Sequence, residues 1–130
     1  MGAKYPSLRV VLPNPSRFLV QVEIMRWCLR VKLAQHVTKF GGLLRGSAPR
    51  PIVERSRKDR SWGAVLEKDG VLRGENRLGL LLMGLRDELL AAKVAGQESR
   101  LLRVAPPQVP DFLLLGQAVE VIEVPDGGSR

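Results

Sequence analysis

The stretch NRLGLLLMGLRDELLAAKV, residues 76–94, decides how the rest of the chain is read. Leu78, Leu81, Leu82, Leu85, Leu89 and Ala92 recur at spacings that line side chains along one face of an α-helix. Asn76 stands just ahead of the first of them, where a helix cap belongs. A second long helix lies upstream. Phe18, Val22, Met25 and Leu29 form one helical row and Ile24, Trp27, Val31 and Ala34 a second beside it, a broad apolar face beginning at a Ser16 cap. Good helix formers run out at His36-Val37-Thr38, and a short helical piece follows from Lys39 to Arg45.

Between the helices the pattern breaks. Gly46, Ser47, Pro49 and Pro51 make a turn that delivers the chain into a short extended segment, Ile52-Val53-Glu54. Asp69-Gly70 suits a tight turn. Near the C-terminus, Pro106-Pro107 and Pro110 interrupt the chain, and Ala118 to Val124 alternates as one strand would. The elements predict a helix-rich α+β fold in which two principal helices pack together, with a polar loop between them and minor strands. It divides into an irregular N-terminal arm (1–16), a principal unit (17–95) and a C-terminal extension with one strand (96–130).

The chain has 130 residues, 45% hydrophobic and 26% charged, which suits one domain with one core. Its one cysteine, Cys28, excludes an internal disulfide and any cysteine-based zinc site, which points to a reducing, cytoplasmic compartment. No apolar run is long enough for a signal segment or a membrane span, so no membrane partner is expected. The net charge of +8 suits phosphate-bearing partners. Its spread from Lys4 to Arg130, dense only between Arg50 and Arg60, predicts no more than a weak nucleic-acid contact.

The candidate chemistry lies in the polar run from Glu54 to Gly63, because loops between apolar elements are where sites are built. Trp62 has the face to stack on a base, and Arg57 and Lys58 the charge to meet phosphate. Glu54 or Asp59 has the carboxylate to face an anomeric carbon. Spacing alone favours a plainer reading, in which Trp62 anchors the core, Glu54 pairs with Arg50 or Arg57, and the charges form a solvated turn. Asn76 reads first as a helix cap, and Arg86, beside Asp87 and Glu88, equally as a surface residue. Lys32 can reach a phosphate, although a helix lysine ordinarily lays its stem along the protein surface.

The residues resemble a known family. Val22-Glu23-Ile24-Met25-Arg26-Trp27-Cys28-Leu29-Arg30, then Lys39-Phe40, Arg50-Pro51-Ile52-Val53-Glu54, Ser56, Asp59 and Trp62-Gly63 are similar to the NADAR (YbiA-like) N-glycosidase family. So are Gly74, Asn76, Leu78-Gly79, Leu82-Met83 and Arg86. The resemblance implies a NADAR-like fold over 17–95 and cleavage of the N-glycosidic bond between a base and a phosphorylated ribose or ADP-ribose, without metal or cofactor. Its substrates would be phosphoribosylated pyrimidine intermediates of riboflavin synthesis or ADP-ribosylated guanine. Carried onto this chain, it makes Glu54 and Asp59 the site carboxylates and Trp62 a stacking wall, with Asn76 and Arg86 orienting the loop or the phosphate. The family's Ser-Glu-His motif, which should precede Met25-Arg26, has no counterpart here. That departure predicts an incomplete domain, a weak or inactive glycosidase, and exposed helix faces that favour self-association. A non-catalytic ADP-ribose or nucleotide-binding module and a basic nucleic-acid-associated protein are the alternative functions.

Overall fold

The computed structural model describes residues 15–109, 113–114 and 117–125. The expected arm before Pro15 and the tail from Asp126 to Arg130 lie outside the described residues. Helix α1 spans Pro15–Gln35, α2 Lys39–Ser47 and α3 Arg77–Val94. Pro15 opens α1, a position that suits proline because a first-turn N–H has no intrahelical partner. Ser16 therefore falls inside the helix and not ahead of it. At the other end the His36 N–H bonds the Lys32 carbonyl at 2.9 Å, and the turn through residues 36–38 leads directly into α2.

The core is small and lies where the end of α1, α2 and α3 meet. Leu33 and Leu89 are fully buried, Leu44 and Leu85 nearly so, and Leu29, Val37, Phe40, Ile52, Leu82 and Leu101 close around them. The α3 spacing located its share of this core in Leu85 and Leu89. The α1 rows located theirs only in part: Ala34 is fully buried and Leu29 packs on the core, but Leu33, in neither row, is the helix's most buried leucine, while Val22, Met25 and Trp27 are only half-buried. Apolar residues surround α1 on all sides, so sequence spacing selects no single face. Its last turns pack into the core with α2 and α3, and near its start Phe18 lies under the Arg77 guanidinium of α3 at 4.1 Å, whereas Leu19 beside it is 61% exposed. Leu43 on α2 and Leu80 on α3 are exposed as well.

Between α2 and α3 the chain builds a three-stranded sheet, β1 (Arg55–Ser56), β2 (Ala64–Leu66) and β3 (Leu72–Arg73). β1 runs parallel to β2 with Arg55 opposite Ala64, and β2 pairs antiparallel with β3 with Leu66 opposite Leu72. The expected turn is present: Gly70 has φ of 83°, the left-handed conformation that glycine tolerates, and its N–H bonds the Glu67 carbonyl at 2.9 Å.

Ion pairs brace this hairpin, Arg60 to Glu67 at 2.6 Å, Arg73 to Glu67 at 3.0 Å and Arg73 to Asp69 at 2.9 Å. The hydrogen bond from Arg60, reinforced by Arg73, holds the Glu67 carboxyl below its ordinary value, and Arg73 does the same for Asp69. A carboxylate depressed in the folded state adds stability above its unfolded pKa and loses it as pH falls through the folded one. The NMR signals of residues 66–73 are therefore expected to hold through the range where free carboxylates titrate, and to move only at lower pH. Movement within the ordinary carboxylate range would show the network to be absent in solution.

After α3, a 3-10 turn at Glu98–Leu102 packs across α1 and α3 and adds Leu101 to the core. β4 (Arg103–Val104) follows, with Val104 buried and in register with Ile122 of β7 (Ile122–Glu123). The alternation from Ala118 to Val124 is thus divided: β6 (Gln117–Ala118) pairs with β5 (Leu113–Leu114), and β7 with β4. Among the described residues no helix is long and apolar enough to cross a membrane, and no group of His, Cys, Asp or Glu could hold a metal ion.

Candidate functional site

The polar run that the sequence singled out is built on the N-terminal end of α3. The first N–H groups of a helix have no partner within it and need carbonyls or other acceptors. Here the loop supplies them: the carbonyls of Arg60, Ser61, Trp62 and Gly63 accept from the N–H groups of Glu75, Arg77, Leu78 and Asn76, at 2.7 to 3.2 Å. Two segments separated in sequence by the β2–β3 hairpin thus interlock through four backbone bonds.

Asp59 shapes the loop from within. Its Oδ1 accepts the N–H groups of Ser61 and Trp62, each at 2.9 Å, while the Ser56 Oγ accepts those of Lys58 and Asp59 at 3.3 and 2.8 Å. Short polar side chains that take up nearby amides in this way hold a turn without a regular ladder. Asp59→Ala is expected to cost about 1 kcal/mol of stability through two unsatisfied amides, and Asp59→Asn, which keeps the acceptor oxygen, only a few tenths. Equal melting temperatures for the two variants would remove this role.

Glu54 is held differently, by its backbone. Its N–H donates to the Asn76 Oδ1 at 2.9 Å, and its carbonyl accepts from the Ala64 N–H at 2.8 Å. The Asn76 Nδ2 donates to the Ile52 carbonyl at 2.9 Å, so one side-chain amide meets residues 52 and 54 as a neighbouring strand would. The expected extended segment is therefore real, but Asn76 pairs it, and the regular strand begins one residue later at Arg55. This corrects the reading of Asn76 as a side-chain cap. It stands at the cap position with φ of 52° and its side chain makes no cap hydrogen bond, because its amide is turned toward residues 52–54.

Two glycines allow this closeness. A Cβ on Gly79 would lie 2.2 Å from the Ile52 carbonyl oxygen and 2.4 Å from the Asn76 amide, and one on Gly63 would lie 2.5 Å from the Glu54 carbonyl oxygen. Gly79→Ala must push the 52–54 segment off α3. We expect a loss of about 1–3 kcal/mol, the usual cost of forcing atoms into a packed site, read as a lower melting temperature. An unchanged melting temperature would contradict the close approach. Sequence reasoning passed over both glycines as site residues. A glycine inside an otherwise strong helix was the available signal, since it costs about 1 kcal/mol against alanine and implies a packing reason.

The Glu54 side chain itself is exposed, and its carboxylate has no hydrogen-bond or ion-pair partner among the described residues. The expected pairing with Arg50 does not form, because Arg50 donates to the Gly46 and Ser47 carbonyls at 3.1 and 3.4 Å. Arg57 and Lys58 are likewise exposed and without ion pairs among the described residues. Trp62 is half-buried, its main chain fixed at both ends by Asp59 and Leu78.

Arg86 points inward. It is 6% exposed and donates to the Ser47 Oγ at 3.0 Å and the Arg50 carbonyl at 2.6 Å, which replaces the surface reading suggested by Asp87 and Glu88. Lys32 lies on α1 with its ammonium 4.5 Å from the Phe40 ring centre. The structure thus gathers Glu54, Asp59, Trp62 and Asn76 around the start of α3, sets Arg86 behind them, and leaves Lys32 against α2. An open groove of about 960 Å³, with Trp27, Glu88 and Pro107 among its walls, is lined by none of these six residues.

The sequence comparisons bear on the same segment. The model of the NADAR domain family matches residues 16–90, from the start of α1 through most of α3. Relatives called N-glycosidase YbiA, from Escherichia coli (strain K12) and Shigella flexneri, are 40% identical to the chain over 74 residues. That alignment covers 57% of this chain and 43% of theirs, so the chain spans less than half the length of these curated relatives. No solved structure matches the chain. The interlocked pair of motifs, Glu54 to Gly63 and Gly74 to Arg86, falls wholly inside the matched residues, and the chain belongs to the NADAR domain family.

Proposed function

We propose that the chain acts as an N-glycosidase, hydrolysing the bond between a heterocycle nitrogen and C1 of a phosphorylated ribose or ADP-ribose, with Glu54 as the reacting carboxylate. The observation that carries the reading is the contrast between the two acidic residues. Asp59 has an oxygen committed to two backbone amides, whereas Glu54 has a braced main chain and an unengaged side chain. A carboxylate held in place yet free at its oxygens is what general-base chemistry needs.

In the proposed reaction the C1–N bond breaks with its electron pair passing to the base nitrogen, leaving oxocarbenium-like charge on the ribose. Glu54 stabilises that charge and takes a proton from the water whose oxygen bonds C1. The departing base receives the balancing proton from solvent. Trp62 lies along the base, and Arg57 and Lys58 meet phosphate oxygens. The name N-glycosidase YbiA, borne by relatives matched over this segment, supports the reaction class.

The unpaired cations favour a second reading, a nucleotide-binding module without chemistry. Arg55, Arg57 and Lys58 are exposed and free of ion pairs among the described residues, as a phosphate site requires. Incubating the chain with a phosphoribosylated aminopyrimidine, and separately with ADP-ribosylated guanine, and following free base by chromatography separates the two. Base release abolished in Glu54→Gln supports hydrolysis. Saturable ADP-ribose binding without turnover supports the module, and binding that collapses with salt and ignores ADP-ribose indicates a general affinity for nucleic acid.

A further inference from the structure

We infer that Asn76 is a positioning residue for Glu54, acting through the main chain of residues 52–54 and making no contact with substrate. The inference rests on the reading of Glu54 as the reacting carboxylate. Its physical basis is separate from that reading.

Both polar groups of the Asn76 amide are engaged inside the protein, Oδ1 by the Glu54 N–H and Nδ2 by the Ile52 carbonyl, each at 2.9 Å. The backbone brings the amide there by adopting φ of 52° and ψ of 43°, a left-handed conformation that asparagine accepts more readily than most residues. Its own N–H bonds the Gly63 carbonyl at 3.1 Å, so the residue is fixed from the loop side as well. Gly79, one turn into α3, leaves room for Ile52 to approach, and on the far side of the same segment the Ala64 N–H holds the Glu54 carbonyl.

Segment 50–54 is therefore tied to α3 at two points, by Arg86 at the Arg50 carbonyl and by Asn76 at residues 52 and 54. The arrangement fixes the Cα of Glu54 while leaving its side chain open to solvent. Displacing a reacting group by an ångström can lower a rate about a hundredfold without changing how substrate binds. A residue that bound substrate and transition state equally would act on KM instead.

The test is Asn76→Gly in the full chain, since glycine keeps the left-handed backbone and removes both side-chain bonds. Two measurements are made, the exchange rate of the Glu54 amide by NMR and the kinetics of base release from a phosphoribosylated aminopyrimidine. We expect Glu54 exchange to rise about tenfold, equivalent to one lost hydrogen bond, and kcat to fall about a hundredfold with KM within about threefold. Asn76→Asp keeps the acceptor for Glu54 and loses the donor to Ile52. It should retain slow Glu54 exchange with an intermediate kcat, and it serves as the readable variant if glycine unfolds the protein. Unchanged Glu54 exchange in Asn76→Gly overturns the inference, and so does a raised KM at constant kcat. A wild-type chain that releases no base removes the glycosidase reading alone, because amide exchange still decides whether Asn76 braces Glu54.

Discussion

Glu54→Gln is expected to lower the rate of base release by about 10²–10⁴-fold, the usual share of a positioned acid or base, while the melting temperature stays unchanged. The two halves of this expectation have separate origins. The rate falls because glutamine keeps the shape of the side chain but can neither accept the water proton nor stabilise developing positive charge. Stability holds because the side chain is exposed and makes no bond to a described residue, and such surface changes cost about 0.5 kcal/mol or less. Asp59→Asn should behave in the opposite sense, keeping most activity. Loss of activity in Asp59→Asn together with full activity in Glu54→Gln would exchange the two roles.

Leu89→Ala carries the second large effect. Leu89 is 1% exposed and lies in the cluster with Leu33, Leu44 and Leu85, into which α1, α2 and α3 all pack. Removing a fully buried leucine side chain costs about 2–5 kcal/mol, of which part is the cavity left behind. Few other buried side chains share the load, and domains of this size keep only about 5–15 kcal/mol in total. The melting temperature should fall by about 10–25 °C in thermal unfolding followed by circular dichroism. Leu80→Ala is the control on the same helix: its side chain is 58% exposed, and we expect a change of about 0.5 kcal/mol or less. Equal losses for Leu80 and Leu89 would mean that α3 is oriented differently in solution.

The α3 pattern was legible because local spacing sufficed. Leu85 and Leu89 recur one turn apart on a helix with a packed partner, so the two leucines of α3 that are buried are both among the residues named from spacing. The α1 pattern found Ala34 and Leu29 but missed Leu33, because its apolar residues encircle the helix and burial then depends on which of them find a neighbour. Residues 98–104 were unreadable for a related reason. A single 3-10 turn and a two-residue strand carry too little periodicity to register, although they place Leu101 and Val104 against the helices.

The candidate site divides along the same line. Residue types from Glu54 to Gly63 and from Gly74 to Arg86 were enough to identify the family, because that identification depends on which residues occur at which spacing, and the family match covers both runs. Roles within the site depend on which groups face each other across the fold. Asn76 reads as a cap until Ile52 and Glu54 are seen on its amide, and Arg86 as a surface residue until Ser47 and Arg50 are found on its guanidinium. Asp59 and Glu54 are equivalent acids on paper. One carboxylate takes up two amides of its own loop and the other takes up none, a difference that arises only when the loop folds onto the start of α3.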